Sequence, residues 1–197
     1  MSVLKVKKQM IEDINKNCCF LGHREIDENE NLKAEIRSIV SDLIENKGID
    51  TFFFGSRSDF NSLCHSIVSD LKGNYPHIRR VYVRAEYSDI NDDYRDYLLE
   101  SYEDTYYPEK IRNSGRASYV ERNQQLINQC SVCIVYYNEN YLPPRRRNSK
   151  RDLTDYQPKS GTRIAYEYAV KKKKTIINVF KPITRVFAAT SVALNIN

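Results

Sequence analysis

Apolar residues fall along this chain in two alternating patterns. Some form short unbroken runs; others recur every three or four positions. The runs are Cys18-Cys19-Phe20-Leu21, Thr51-Phe52-Phe53-Phe54, Ile78 to Val83, Ser131 to Tyr137, and Thr175 to Phe180. Continuous rather than alternating apolarity predicts strands buried on both faces. Between them, Leu32, Ile36, Ile39, Val40, Leu43 and Ile44 share one helical face, and Lys47-Gly48 supplies a stop. Phe60, Leu63, Cys64, Ile67, Val68 and Leu71 form a second such face, which Ser58 or Asp59 can cap. Arg116 to Gln129 and Ile164 to Val170 read as further helices. Val3, Val6, Met10, Ile11 and Ile14 predict a leading helix within residues 1–17. Strand–helix alternation at this spacing predicts an α/β, Rossmann-like, doubly wound sheet with helices on both faces. The sheet is expected to be mainly parallel, with five strands or slightly more, in a single domain spanning 1–197.

Three stretches depart from this rhythm. Residues 86–115 interleave tyrosines (Tyr87, Tyr94, Tyr97, Tyr102, Tyr106, Tyr107) with acids, and short helices are expected there; Tyr94, Tyr97 and Leu98 fit one amphipathic turn. Residues 138–159 form a long basic connection. The tail, 181–197, carries weak signals for a short helix or strand. No internal repeat is visible.

Composition narrows the class of protein. Hydrophobic residues make up 41% and charged residues 29% of the 197, which excludes a disordered chain. No apolar run approaches the ~20 residues that cross a bilayer, and the first residues lack the apolar core of a secretory signal. The five cysteines sit mostly within apolar segments. That pattern suits reduced, buried thiols and a cytoplasmic address. Cys130-Ser131-Val132-Cys133 has metal-type spacing, but no second Cys pair or closely spaced His pair completes a zinc site, so packing is the expected role and no metal or cofactor is expected. The net charge of +5 is modest but uneven. Arg145, Arg146, Arg147, Lys150 and Arg151 crowd one segment and Lys171 to Lys174 another, whereas acids dominate between Glu86 and Glu109. The basic segments can steer an anion or simply be solvated loop.

The candidate chemistry lies where the strands end. In open α/β sheets, ligands bind beyond the carboxyl ends of the strands, near the reversal of strand order. Gly22-His23-Arg24, Gly55-Ser56-Arg57 and Ser160-Gly161-Thr162 should all arrive there. A turn opening a helix offers free N–H groups and the positive end of the helix dipole to an anion. Arg24 and Arg57 suit paired bonds to phosphate or carboxylate. Gly22 and Gly55 either admit a ligand close to the backbone or merely make tight turns. His23 is expected to be a local hydrogen-bonding group rather than a catalyst. Glu167 is expected to pair with Lys171 at i, i+4.

These residues carry a family likeness. Cys18 to Arg24 resembles the opening motif of the SLOG superfamily, Rossmann-like proteins related to DNA-processing protein A and to the lysine-decarboxylase-like phosphoribohydrolases. Tyr119-Val120-Glu121-Arg122-Asn123 and Ser160-Gly161-Thr162 match later landmarks in the same order. The resemblance covers about Cys18 to Phe180. It implies a nucleotide-derived small molecule as partner, with Arg122 and Asn123 among its contacts, and homo-oligomers are common in the related families. Members include sensors of nucleotide or NAD-derived signals in bacterial and phage conflict systems, and enzymes that cleave N-glycosidic bonds of nucleotides. The hydrolases place a catalytic Arg where Arg122 stands and a catalytic Glu two residues after the Thr. This chain has Ile164 there, which can neither stabilise an oxocarbenium charge nor activate water.

Three functions therefore stand beside one another. The first is a module that binds a nucleotide or an ADP-ribose-like ligand, as a sensor or sequestering protein. The second is an N-glycosidic hydrolase, in which Arg122, Glu121 or Glu167, or else Asp155, supplies the chemistry. The third is a single-stranded DNA binder using Arg145 to Arg151, which the acidic 86–115 segment disfavours.

Overall fold

Alternate residues of each strand point into two separate hydrophobic layers. In a computed structural model, which describes residues 13–56, 58–142 and 159–182, the apolar runs form β1 (Asn17–Gly22), β2 (Thr51–Phe54), β3 (Arg79–Val83), β5 (Val132–Tyr136) and β6 (Thr175–Asn178), and a short polar strand, β4 (Asp104–Tyr106), joins them. All five pairings are parallel, in the order β4-β3-β2-β1-β5-β6. Among the described residues the sheet is thus six-stranded, wholly parallel and Rossmann-like.

The helices are α1 (Glu30–Lys47), α2 (Asp59–Leu71), α3 (Asp92–Leu99), α4 (Arg116–Asn128) and α5 (Gly161–Lys171). Cys18, Phe20, Phe52 and Phe54 pack with the apolar faces of α1 and α2. Cys19, Leu21, Phe53, Cys133 and Val135 pack on the other side with Leu126 and Ile127 of α4 and Ala165 and Ala169 of α5. Burying both sheet faces is what the unbroken runs require. The helix ends follow local chemistry: Asn29, Ser58 and Ser160 accept first-turn N–H groups, and Gly48 ends α1 at φ 64°. A side chain rarely adopts that backbone, so glycine is the natural stop.

The 86–115 segment holds α3 and β4. β4 has no apolar run; its anchor is the neighbouring Glu103. The Glu103 carboxylate accepts from Arg80 N at 2.6 Å and from Arg80 Nη2 at 2.7 Å, and Lys72 Nζ stands 3.4 Å away. Burial alone would raise the Glu103 pKa, but the bonds and charge of Arg80 and the charge of Lys72 outweigh it and hold it down at about 2.

Of the leading helix, only a 3-10 turn at Ile14–Lys16 falls among the described residues. Most of the basic connection and of the tail lies outside them. All five cysteines are buried free thiols. Cys133 packs with its Sγ 3.5 Å from that of Cys19 on the adjacent strand. No helix among the described residues is long and apolar enough to cross a membrane.

Candidate anion-binding site

The direction of winding reverses between β1 and β5, neighbours in the sheet yet far apart in sequence. In open α/β sheets such a reversal is where ligands bind, beyond the carboxyl ends of the two strands. Gly22 ends β1 there, and α5 begins there. Thr162 Oγ1 donates to the Gly22 carbonyl at 2.8 Å, which locks the first turn of α5 onto the end of β1. Ser160 caps the helix by accepting the N–H of Arg163 at 3.1 Å, and its carbonyl accepts that of Ile164. The N–H groups of Gly161 and Thr162 belong to the first-turn donors that no intrahelical carbonyl can satisfy. Among the described residues, a Cβ on Gly161 would meet nothing within 4 Å. The helix places roughly half a positive charge at this end.

His23 follows Gly22 and is only 2% exposed. Its Nε2 accepts the N–H of Asn138 at 3.0 Å, and its ring stacks on Tyr141 at a centroid distance of 4.0 Å. Burial lowers the His23 pKa. A neutral ring that accepts at Nε2 carries its proton on Nδ1. That Nδ1 is buried and has no hydrogen-bond partner among the described residues. His23 thus carries a buried donor one position beyond the end of β1.

The two glycines owe their identity to packing. A Cβ on Gly22 would lie 2.4 Å from the Phe60 ring, and one on Gly55 would lie 2.3 Å from Arg122 Nη1. Arg122 is 1% exposed; its Nη1 donates to the Val83 carbonyl at 3.1 Å and its Nε to Asn123 Oδ1 at 2.9 Å. Burial lowers its pKa to about 10, against the opposing pull of Tyr82 and Glu86, so the guanidinium stays charged at neutral pH. It lies against the ends of β2 and β3.

No family model matches the sequence, and no curated protein matches it. Two solved structures do resemble it. DNA processing protein A from Streptococcus pneumoniae aligns with TM-score 0.56 at 12% identity, over 88% of this chain and 54% of the other. The Helicobacter pylori protein of the same name, solved in a study of its single-stranded DNA binding mode, aligns with TM-score 0.52 at 14% identity, over 85% of this chain and 66% of its own. The chain is similar in fold to DNA processing protein A. It spans about half of the first relative and less than two thirds of the second, and at such identities the likeness concerns the fold alone.

The remaining expected site residues fall into two groups. Ser56 reaches the same edge, its Oγ 2.8 Å from that of Ser58, and Arg24 is exposed with its carbonyl accepting from Asp59 N at 2.9 Å. Arg57, like Arg145 to Arg151 and Asp155, lies outside the described residues. The two carboxylates considered for catalysis are engaged elsewhere. Glu121 accepts from the N–H groups of Arg112 and Asn113 at 2.9 and 3.0 Å, and these bonds lower its pKa. Glu167 pairs with Lys159 at 2.7 Å and Arg163 at 3.0 Å rather than with the expected Lys171, and both cations lower its pKa. A carboxylate held as an anion in this way is a poor general acid or base near neutral pH.

Sequence reasoning missed Asn61, Asn138 and Tyr141. Asn61 is 3% exposed and its Oδ1 accepts from Gly55 N at 3.4 Å. An asparagine amid the apolar positions of α2 was a readable signal; Asn138 and Tyr141 sit in a loop with none.

Proposed function

We propose that the chain binds a phosphate-bearing ligand, either a nucleotide or an NAD-derived, ADP-ribose-like molecule, at the carboxyl edge of the sheet, and that it senses or sequesters that ligand rather than turning it over. The observation that carries this reading is the Thr162–Gly22 hydrogen bond, which fixes a helix N-terminus against the end of β1. The amide donors and helix dipole at the start of α5, and the buried His23 Nδ1 one position beyond the end of β1, support this reading. Membership of the SLOG superfamily, proposed from the motifs, agrees with the fold-level similarity to DNA processing protein A.

Hydrolysis is the weaker reading. Ile164 replaces the carboxylate the hydrolases use, and Glu121 and Glu167 are both committed to other partners. Single-stranded DNA is the second reading. It is favoured by the nucleic acid that the H. pylori relative binds and by the basic residues between Arg145 and Arg151.

Calorimetric titration with ADP-ribose and, separately, with a thymidine oligonucleotide at two salt concentrations distinguishes these readings. Saturable ADP-ribose binding without released base or ribose phosphate is the expected result. Oligonucleotide binding that falls steeply with salt, with no response to ADP-ribose, would transfer the assignment to DNA.

A further inference from the structure

At the carboxyl end of β3 the chain enters a concavity of about 400 Å³ lined by Glu86, Tyr87, Asp89, Ile90, Asn91 and Tyr94. Tyr87 is 70% exposed and is held at φ 56°, a backbone that few side chains adopt. Arg84 holds that bend, its Nη1 donating to the carbonyls of Tyr87 at 2.7 Å and Ser88 at 3.4 Å. The result is a large aromatic ring standing in water on the same edge as the start of α5, because every strand runs parallel. Exposed aromatics of this kind serve as stacking platforms for planar rings.

We infer that this concavity is the nucleobase subsite of the ligand assigned above, with Tyr87 stacking on the base and Glu86 and Asp89 accepting from its N–H donors. The inference rests on the proposed phosphate site and deepens it. The two ends have opposite polarity. Carboxylates repel a phosphate from the β3 end, whereas amides and the helix dipole attract one at the α5 end, so the ligand has a single orientation. β3 stands two strands from β1. At the usual strand spacing that is about 10 Å, a gap for a nucleoside carrying a pyrophosphate rather than for a free base or free phosphate. Carboxylate acceptors also set a preference among bases. Guanine offers adjacent N–H donors, adenine a single amino group, and uracil an N–H flanked by carbonyls that carboxylates repel.

The test uses the full chain with GDP, UDP and inorganic pyrophosphate as probes. Tyr87→Gly removes the ring while suiting the positive φ, and Tyr87→Phe keeps a stacking face. Tyr87→Gly is expected to weaken GDP binding about tenfold or more and to leave pyrophosphate binding unchanged, with Tyr87→Phe close to wild type. Glu86→Gln with Asp89→Asn is expected to erase the preference for GDP over UDP. If GDP affinity survives Tyr87→Gly while pyrophosphate still binds, the base subsite is wrong and the phosphate site stands. If neither GDP nor pyrophosphate binds the wild-type chain, both assignments fall.

Discussion

Arg122 occupies the space that a side chain on Gly55 would need. Its Nη1 stands where an added Cβ would come within 2.3 Å, and that same nitrogen donates to Val83. A buried cation is thereby clamped under the ends of β2 and β3, where the chain leaves the sheet toward the ligand edge. The glycine exists for the arginine.

Gly55→Ala is therefore expected to destabilise the fold by about 1–3 kcal/mol through overpacking, read from the urea midpoint. Arg122→Met should relieve much of that clash in the double variant, so the two changes should be strongly non-additive. Additive effects would mean that the two residues do not press on each other.

Glu103 predicts an acid-limb effect. Its folded pKa, about 2, lies below the value of about 4.5 for an unperturbed carboxyl. Its stabilisation is thus fully present above pH 4.5 and is lost as pH falls from there toward 2. Glu103→Gln should lower stability at neutral pH and flatten the decline across that window. An unchanged acid limb in a denaturation series would contradict the Arg80–Glu103 account of how β4 is held.

His23 acts at milder pH. Burial lowers its pKa below the usual 6.5, so the unfolded chain takes up a proton more readily than the folded one. The stabilisation is complete above 6.5 and erodes as pH drops through that value toward the folded pKa. Protonation would also set an N–H at Nε2 against the N–H of Asn138, which now donates to it. His23→Gln keeps an acceptor without titrating, and it should remove the part of the stability loss between pH 7 and 5 that belongs to this ring. If the pH slopes of variant and wild type coincide, His23 is not the titrating group.

The sheet was legible because most of its strands advertise burial. Phe52-Phe53-Phe54 leaves no doubt about two covered faces, and β2 begins and ends where the run does. β4 was not legible: Asp104-Thr105-Tyr106 has no apolar signature, and its place depends on Glu103 meeting Arg80 across 23 positions. The site divides in the same way. Ser160 as cap and the α5 start follow from local turn chemistry, whereas the reason for Gly22 and Gly55 was visible only in three dimensions. Sequence reading left ligand approach and tight turns open for both; the structure puts Phe60 and Arg122 against them. Arg122 was marked as a ligand contact, yet a helix of low amphipathic contrast gave no hint that this arginine turns fully inward.

The central claim, that an anion seats on the first turn of α5, is tested most directly by calorimetry of Gly161→Val with Thr162→Ala against the wild-type chain, using ADP-ribose. Among the described residues nothing lies within 4 Å of a Cβ at position 161, so valine there should leave the fold standing, as circular dichroism would verify, while covering the amide donors. The account expects binding by the wild type and none by the variant. Equal affinity in the two proteins would contradict it.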